Sequence, residues 1–129
     1  MGKLILLVDD DQDFLEQNRG LLAARGYRVA CFSDPGEALA SLRRERPDLV
    51  VTDLMMKNLD SGFSLARAIK SEAGFSPIPV ILVTAAASQR GFDFNPRTRE
   101  ELAAMNADAF FDKPVSPEAL IAKVEELLV

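Results

Sequence analysis

A chain of 129 residues, 48% apolar and 27% charged, has the length of one domain and enough apolar sequence for a core without disulfide staples. Fifteen basic against twenty acidic residues leave a net charge of −5, which argues against nucleic acid as the main ligand. A single cysteine excludes an internal disulfide, and the lack of histidine excludes His-ligated metals, Ser-His-Asp catalysis and a phosphohistidine on this chain.

The first apolar run, residues 4–8, follows Lys3 as in a secretory signal, but it meets Asp9, Asp10 and Asp11 after five residues. Met1-Gly2 opens like a myristoylation site, yet Leu6 stands where Ser or Thr is needed. No run approaches the ~20 apolar residues of a membrane span. The expectation is a cytoplasmic protein with no membrane partner.

Residues 4–8 read as a strand. Phe14, Leu15, Leu21 and Leu22 then fall on one helical stripe, with Gly26 where a C′ glycine belongs. A second strand covers 27–32. Asp34-Pro35 opens a second helix as cap and first-turn proline, and Arg43, Arg44 and Arg46 crowd its end as a solvated, dipole-favoured terminus. A third strand over 49–52 precedes a helix over 64–73. A fourth over 80–83 leads into the least patterned stretch, a loop through Pro96 and a short helix over 97–105. A fifth strand over 109–111 precedes a last helix, opened by Ser116-Pro117 and striped by Leu120, Ile121, Val124, Leu127 and Leu128. Several strands are apolar at every position, the pattern of a parallel sheet covered on both faces. Five βα units with right-handed crossovers make a three-layer α/β sandwich, expected as a single domain over 1–129.

Ligands in such sheets bind outside the carboxyl ends of the strands. Those ends carry Asp9-Asp10-Asp11, Thr52-Asp53, Val83-Thr84-Ala85 and Asp112-Lys113-Pro114. Singly, each is an ordinary cap, turn or β-forming residue. Together they put carboxylates, a hydroxyl and an ammonium at one edge. Clustered carboxylates repel, and a divalent cation relieves the repulsion; all-oxygen ligands beside a phosphate suit magnesium. Lys113 and Thr84 then offer a charge and an O–H donor to that phosphate. No Ser, Cys or His is suitably placed as nucleophile, which leaves a carboxylate and an acyl phosphate.

The segments Leu6-Leu7-Val8-Asp9-Asp10-Asp11, Val51-Thr52-Asp53-Leu54-Met55-Met56, Val83-Thr84-Ala85 and Phe111-Asp112-Lys113-Pro114 resemble the signature of response-regulator receiver domains of two-component signal transduction, in the style of a single-domain chemotaxis regulator. The resemblance spans nearly the whole chain. It implies the flavodoxin-like strand order 2-1-3-4-5 and a phosphorylation-dependent switch that is not an enzyme acting on a separate substrate. It implies that Asp53 is the phosphoacceptor and that Asp9, Asp10, Asp53 and the Met55 carbonyl hold Mg2+, with Mn2+ as a substitute. Asp10 is the more direct ligand of the acidic pair, and Asp9 acts largely through water. Thr84 and Lys113 contact the phosphoryl group, the bond before Pro114 is cis, and Phe110 is the aromatic that rotates with Thr84. The implied partners are a histidine kinase or histidine phosphotransfer protein, and a downstream protein at the face built by the fourth helix, fifth strand and fifth helix. The implied assembly is a monomer or a weak, phosphorylation-dependent dimer. Asp11 is no family ligand and reads as a first-turn acid of the first helix.

The chain departs from the family pattern in three places. Lys57 follows Met56 where proline is usual, and Gly62 arrives one residue late. The 29 residues from Thr84 to Lys113 exceed the usual spacing, with the excess within 85–96, a loop carrying Phe92 and Phe94. Phe110 lacks the hydroxyl of a tyrosine, so it is expected to sit inward even without phosphorylation. Met55 and Ala86, two residues beyond Asp53 and Thr84, offer no hydrogen bond to an attacking water, so slow self-dephosphorylation is expected. Two other readings compete: a phosphorylation-independent interaction module on the same fold, and a haloacid-dehalogenase-type phosphatase using Asp9-x-Asp11 as its nucleophile motif.

Overall fold

The computed structural model describes residues 2–53, 61–84, 107–112 and 115–128, with the backbone alone at 61–64, 84 and 112. The elements run β1 (Leu4–Val8), α1 (Gln12–Ala23), β2 (Arg28–Phe32), α2 (Pro35–Arg44), β3 (Leu49–Asp53), α3 (Ser61–Ser71), β4 (Val80–Thr84), β5 (Ala109–Asp112) and α4 (Pro117–Leu127). The strands form one parallel sheet in the order β2-β1-β3-β4-β5. This is the doubly wound α/β architecture expected from the alternating runs. The expected helix over 97–105 and the loop over 85–96 lie outside the described residues.

The apolar runs are continuous because both faces of the sheet are covered. Leu6, Val8, Val50, Val80 and Leu82 turn one way, onto Ala38 and Leu42 of α2 and Leu65, Ala66 and Ile69 of α3. Ile5, Leu7, Leu49, Val51, Ile81 and Val83 turn the other way, onto Leu15 and Leu22 of α1 and Leu120, Ile121 and Val124 of α4. Each fully buried Leu, Ile or Val contributes roughly 1.5–3 kcal/mol of burial.

Several boundaries differ from the expectation, each for a local reason. β2 starts at Arg28, because the Tyr27 N–H is spent closing α1 on the Leu22 carbonyl (3.3 Å). With the Gly26 N–H on Ala23 O (3.0 Å) and Gly26 at φ +91°, this is the paired closure of a Schellman motif. β3, β4 and β5 each run one polar residue further than their apolar cores, because the ladder continues through Asp53 opposite Val83 and Thr84 opposite Asp112. α3 starts at Ser61 and ends at Ser71, so Gly62 lies inside the helix, where glycine costs only about 1 kcal/mol against alanine. Among the described residues, no helix is long and apolar enough to cross a membrane.

Candidate functional site

The chain leaves β1 for the outer strand β2 and then returns to the other side of β1 as β3. The winding reverses there, so a crevice opens between the carboxyl ends of β1 and β3. Asp9 follows the last residue of β1, and Asp53 is the last residue of β3. The pairing of Val8 with Thr52 sets these two carboxylates one register step further on, side by side. Asp10 lies in the turn between them and α1.

The ligand oxygens of Asp9, Asp10 and Asp53 all lie within 4.8 Å of one another. Asp9 is fully buried and Asp53 is 7% exposed, while Asp10 faces solvent. At an effective dielectric of about 20, two carboxylates at such a separation repel by roughly 3–4 kcal/mol. A buried pair of this kind is retained at a cost unless something cationic joins it. The donor set is oxygen only and of high negative charge, which fits a hard divalent cation such as Mg2+ or Mn2+ and does not suit a thiophilic metal.

The backbone fixes these side chains. The Asp9 N–H continues the β1–β2 ladder onto Phe32 O (3.0 Å), and one Asp9 carboxylate oxygen accepts the Asp11 N–H (2.9 Å). Asp11 itself is the N-cap of α1, accepting from the N–H groups of Asp13 (3.0 Å) and Phe14 (3.3 Å). This corrects its reading as a first-turn acid: its extended backbone places it just before the helix, where its carboxylate satisfies orphan donors.

Thr84 and Asp112 are paired at the ends of β4 and β5, so their backbones reach the same edge of the sheet as Asp9 and Asp53. Lys113, Pro114, Met55 and Ala86 lie outside the described residues. Phe110 is half-buried and packs on the layer formed by α2 and α3. The single cysteine, Cys31, is half-buried on β2, and burial pushes its thiol up, only partly offset by Arg19. It has no character of an activated nucleophile. Two buried polar residues escaped the sequence reading. Asn18, inside α1, returns a hydrogen bond to Phe14 O (2.9 Å), and Thr52 is buried beside Asp53. Thr52 is β-branched and looked like any strand former; its place immediately before a strand-end aspartate was the available signal.

The sequence profile of the response regulator receiver domain matches residues 5–125. The transcriptional regulatory protein GltR of Pseudomonas aeruginosa is 33% identical over 98% of this chain and 49% of its own length. The DNA-binding response regulator MtrA of Mycolicibacterium smegmatis is 30% identical over 99% of this chain and 51% of its own. The chain thus spans about half the length of the curated relatives it matches. Among solved structures, a CheY-like response regulator receiver domain protein from Methanospirillum hungatei JF-1 superposes with a TM-score of 0.80 at 27% identity, over 99% of this chain and 94% of that one.

Proposed function

The chain belongs to the response regulator receiver domain family, and from that premise we propose that it is a phosphorylation-dependent switch whose phosphoacceptor is Asp53. The observation that carries the reading is the meeting of the Asp9, Asp10 and Asp53 carboxylates at the point where the sheet reverses its winding. The phosphoryl donor is a partner histidine kinase or histidine phosphotransfer protein, because this chain has no histidine of its own. An Asp53 oxygen attacks phosphorus, the O–P bond of an acyl phosphate forms, and the P–N bond breaks with its electron pair returning to the partner's imidazole.

Asp9, Asp10 and Asp53, with the Met55 carbonyl, are the residues that would hold Mg2+ or Mn2+. Bound there, the ion supplies positive charge where phosphoryl oxygens gather. Asp9, anchored by the Asp11 N–H, keeps its carboxylate aimed at the crevice without reorganisation. Thr84 and Lys113 are assigned to the phosphoryl oxygens, as a hydroxyl donor and a point charge. Phe110 fills the space vacated when Thr84 moves, and the bond before Pro114 is assigned as cis. The face around β5 and its flanking helices is the output surface. The reading extends to one receiver domain, in a cytoplasmic setting and as a monomer or weak dimer. The net charge of −5 disfavours nucleic acid as a ligand of these 129 residues, whereas a relative of about twice the length is named for DNA binding.

Incubation with acetyl phosphate and Mg2+ is expected to label the wild-type chain and to leave Asp53→Ala unlabelled. Uptake by Asp53→Ala at the wild-type rate contradicts the assignment.

A further inference from the structure

One step inside the carboxylates, a row of residues crosses all five strands in register: Phe32, Val8, Thr52, Leu82 and Phe110. Phe32, Val8, Leu82 and Phe110 pack into the layer of α2 and α3. Thr52 alone brings a polar group into this row, and it is fully buried. Valine has the same shape with no hydroxyl to satisfy, and a buried hydroxyl costs free energy unless it is hydrogen-bonded. The Thr52 hydroxyl donates to the main-chain carbonyl of Asp53 (3.1 Å).

We propose that Thr52 is a positioning residue of the acidic site. Successive side chains on a strand point to opposite faces, so Thr52 lies behind the sheet from the Asp53 carboxylate and touches neither an ion nor a phosphoryl group. It acts through the main chain. Asp53 is the last residue of β3, so its carbonyl belongs to the peptide by which the chain leaves the strand. The hydroxyl holds the Asp53 carbonyl, fixes the plane of the peptide that leaves the strand, and so keeps the Asp53 carboxylate in reach of Asp9 and Asp10. The inference rests on the reading of Asp53 as the metal-binding phosphoacceptor.

The test compares Thr52→Val, which keeps shape and loses the hydroxyl, with Thr52→Ser, which keeps the hydroxyl and loses a methyl. Two quantities are measured on the full chain: the Mg2+ affinity, from the rise of melting temperature with Mg2+, and the rate of labelling by acetyl phosphate as a function of Mg2+. Thr52→Val is expected to weaken Mg2+ affinity roughly three- to ten-fold, the range that one hydrogen bond covers, and to raise the Mg2+ needed for half-maximal labelling in step. Thr52→Ser is expected to stay near wild type in both, although without Mg2+ it melts below Thr52→Val through its lost methyl. That crossed order distinguishes positioning from packing. Equal Mg2+ affinity in Thr52→Val and wild type overturns the inference, as does a Thr52→Ser chain that loses more affinity than Thr52→Val. Should Thr52→Val not fold, Thr52→Ala against Thr52→Ser makes the same comparison. A wild-type chain with neither a Mg2+-dependent rise nor label on Asp53 overturns the phosphoacceptor reading and this inference with it.

Discussion

Asp9, Asp10 and Asp11 are consecutive and chemically alike, yet their surroundings separate them. Asp9 is buried and tied to a backbone N–H, Asp10 is exposed but within reach of Asp53, and Asp11 caps α1. The sequence carried the cluster, because strand-end acids on adjacent parallel strands must converge. It did not carry the division of labour, which depends on where the turn after β1 ends and α1 begins. Thr52 and Asn18 stayed hidden for a related reason: each is satisfied by a backbone carbonyl that composition cannot place. The carboxylate cluster makes a direct thermodynamic prediction. At Mg2+ about ten-fold above its Kd, the native state gains roughly 1.4 kcal/mol, and the melting temperature rises by roughly 4–7 °C for a domain of this size. Asp10→Ala is expected to lose most of that rise. A melting temperature indifferent to Mg2+ in the wild-type chain speaks against a metal site.

At the scale of elements, the ends of helices and strands hold most of the specific interactions. Gly26 has room for a side chain but takes φ +91°, so Gly26→Ala is strained by its backbone alone. The expected cost is about 1–2 kcal/mol, read from denaturant midpoints, with Gly26→Asn recovering part of it. The amino ends of the strands carry a device used twice. Asp48 accepts the Leu4 N–H on its carboxylate (2.8 Å) and returns its own N–H to Leu4 O (2.8 Å). Asp108 does the same with Val80, at 2.8 Å in both directions. Each aspartate precedes one strand and clasps the start of its neighbour, which sets the register before the apolar ladder begins. Lys70 strengthens the second clasp, donating to Asp108 (3.1 Å), Ile78 O (2.8 Å) and Ser76 O (3.2 Å). Asp108→Ala leaves the Val80 N–H and the Lys70 ammonium short of an acceptor and is expected to cost about 1–3 kcal/mol. Asp108→Asn keeps the Val80 bond and should cost less. By contrast, Arg43 and Glu72 are exposed partners at 2.6 Å, so their pair adds about 1 kcal/mol at most. The sequence showed the caps at Asp34 and Ser116, where proline follows an N-cap residue, and missed the clasps, which join residues 44 and 28 positions apart.

For the molecule as a whole, the fold was legible because each strand is apolar on both sides and each helix on one stripe, a pattern that only a covered parallel sheet satisfies. The site was legible to the extent that topology makes it so: strand order 2-1-3-4-5 brings the ends of β1 and β3 together, with Asp9 just past the first and Asp53 closing the second. Every role assigned to the site depends on phosphorylation of Asp53. Its most direct measurement is the location of the phosphoryl group on the wild-type chain. After treatment with acetyl phosphate and Mg2+, borohydride reduces an aspartyl phosphate to homoserine, and mass mapping of the peptides reports the position. Homoserine is expected at 53 and nowhere else, with none formed when Mg2+ is chelated. Homoserine at Asp9, Asp10 or Asp11 with Asp53 intact would contradict the assignment.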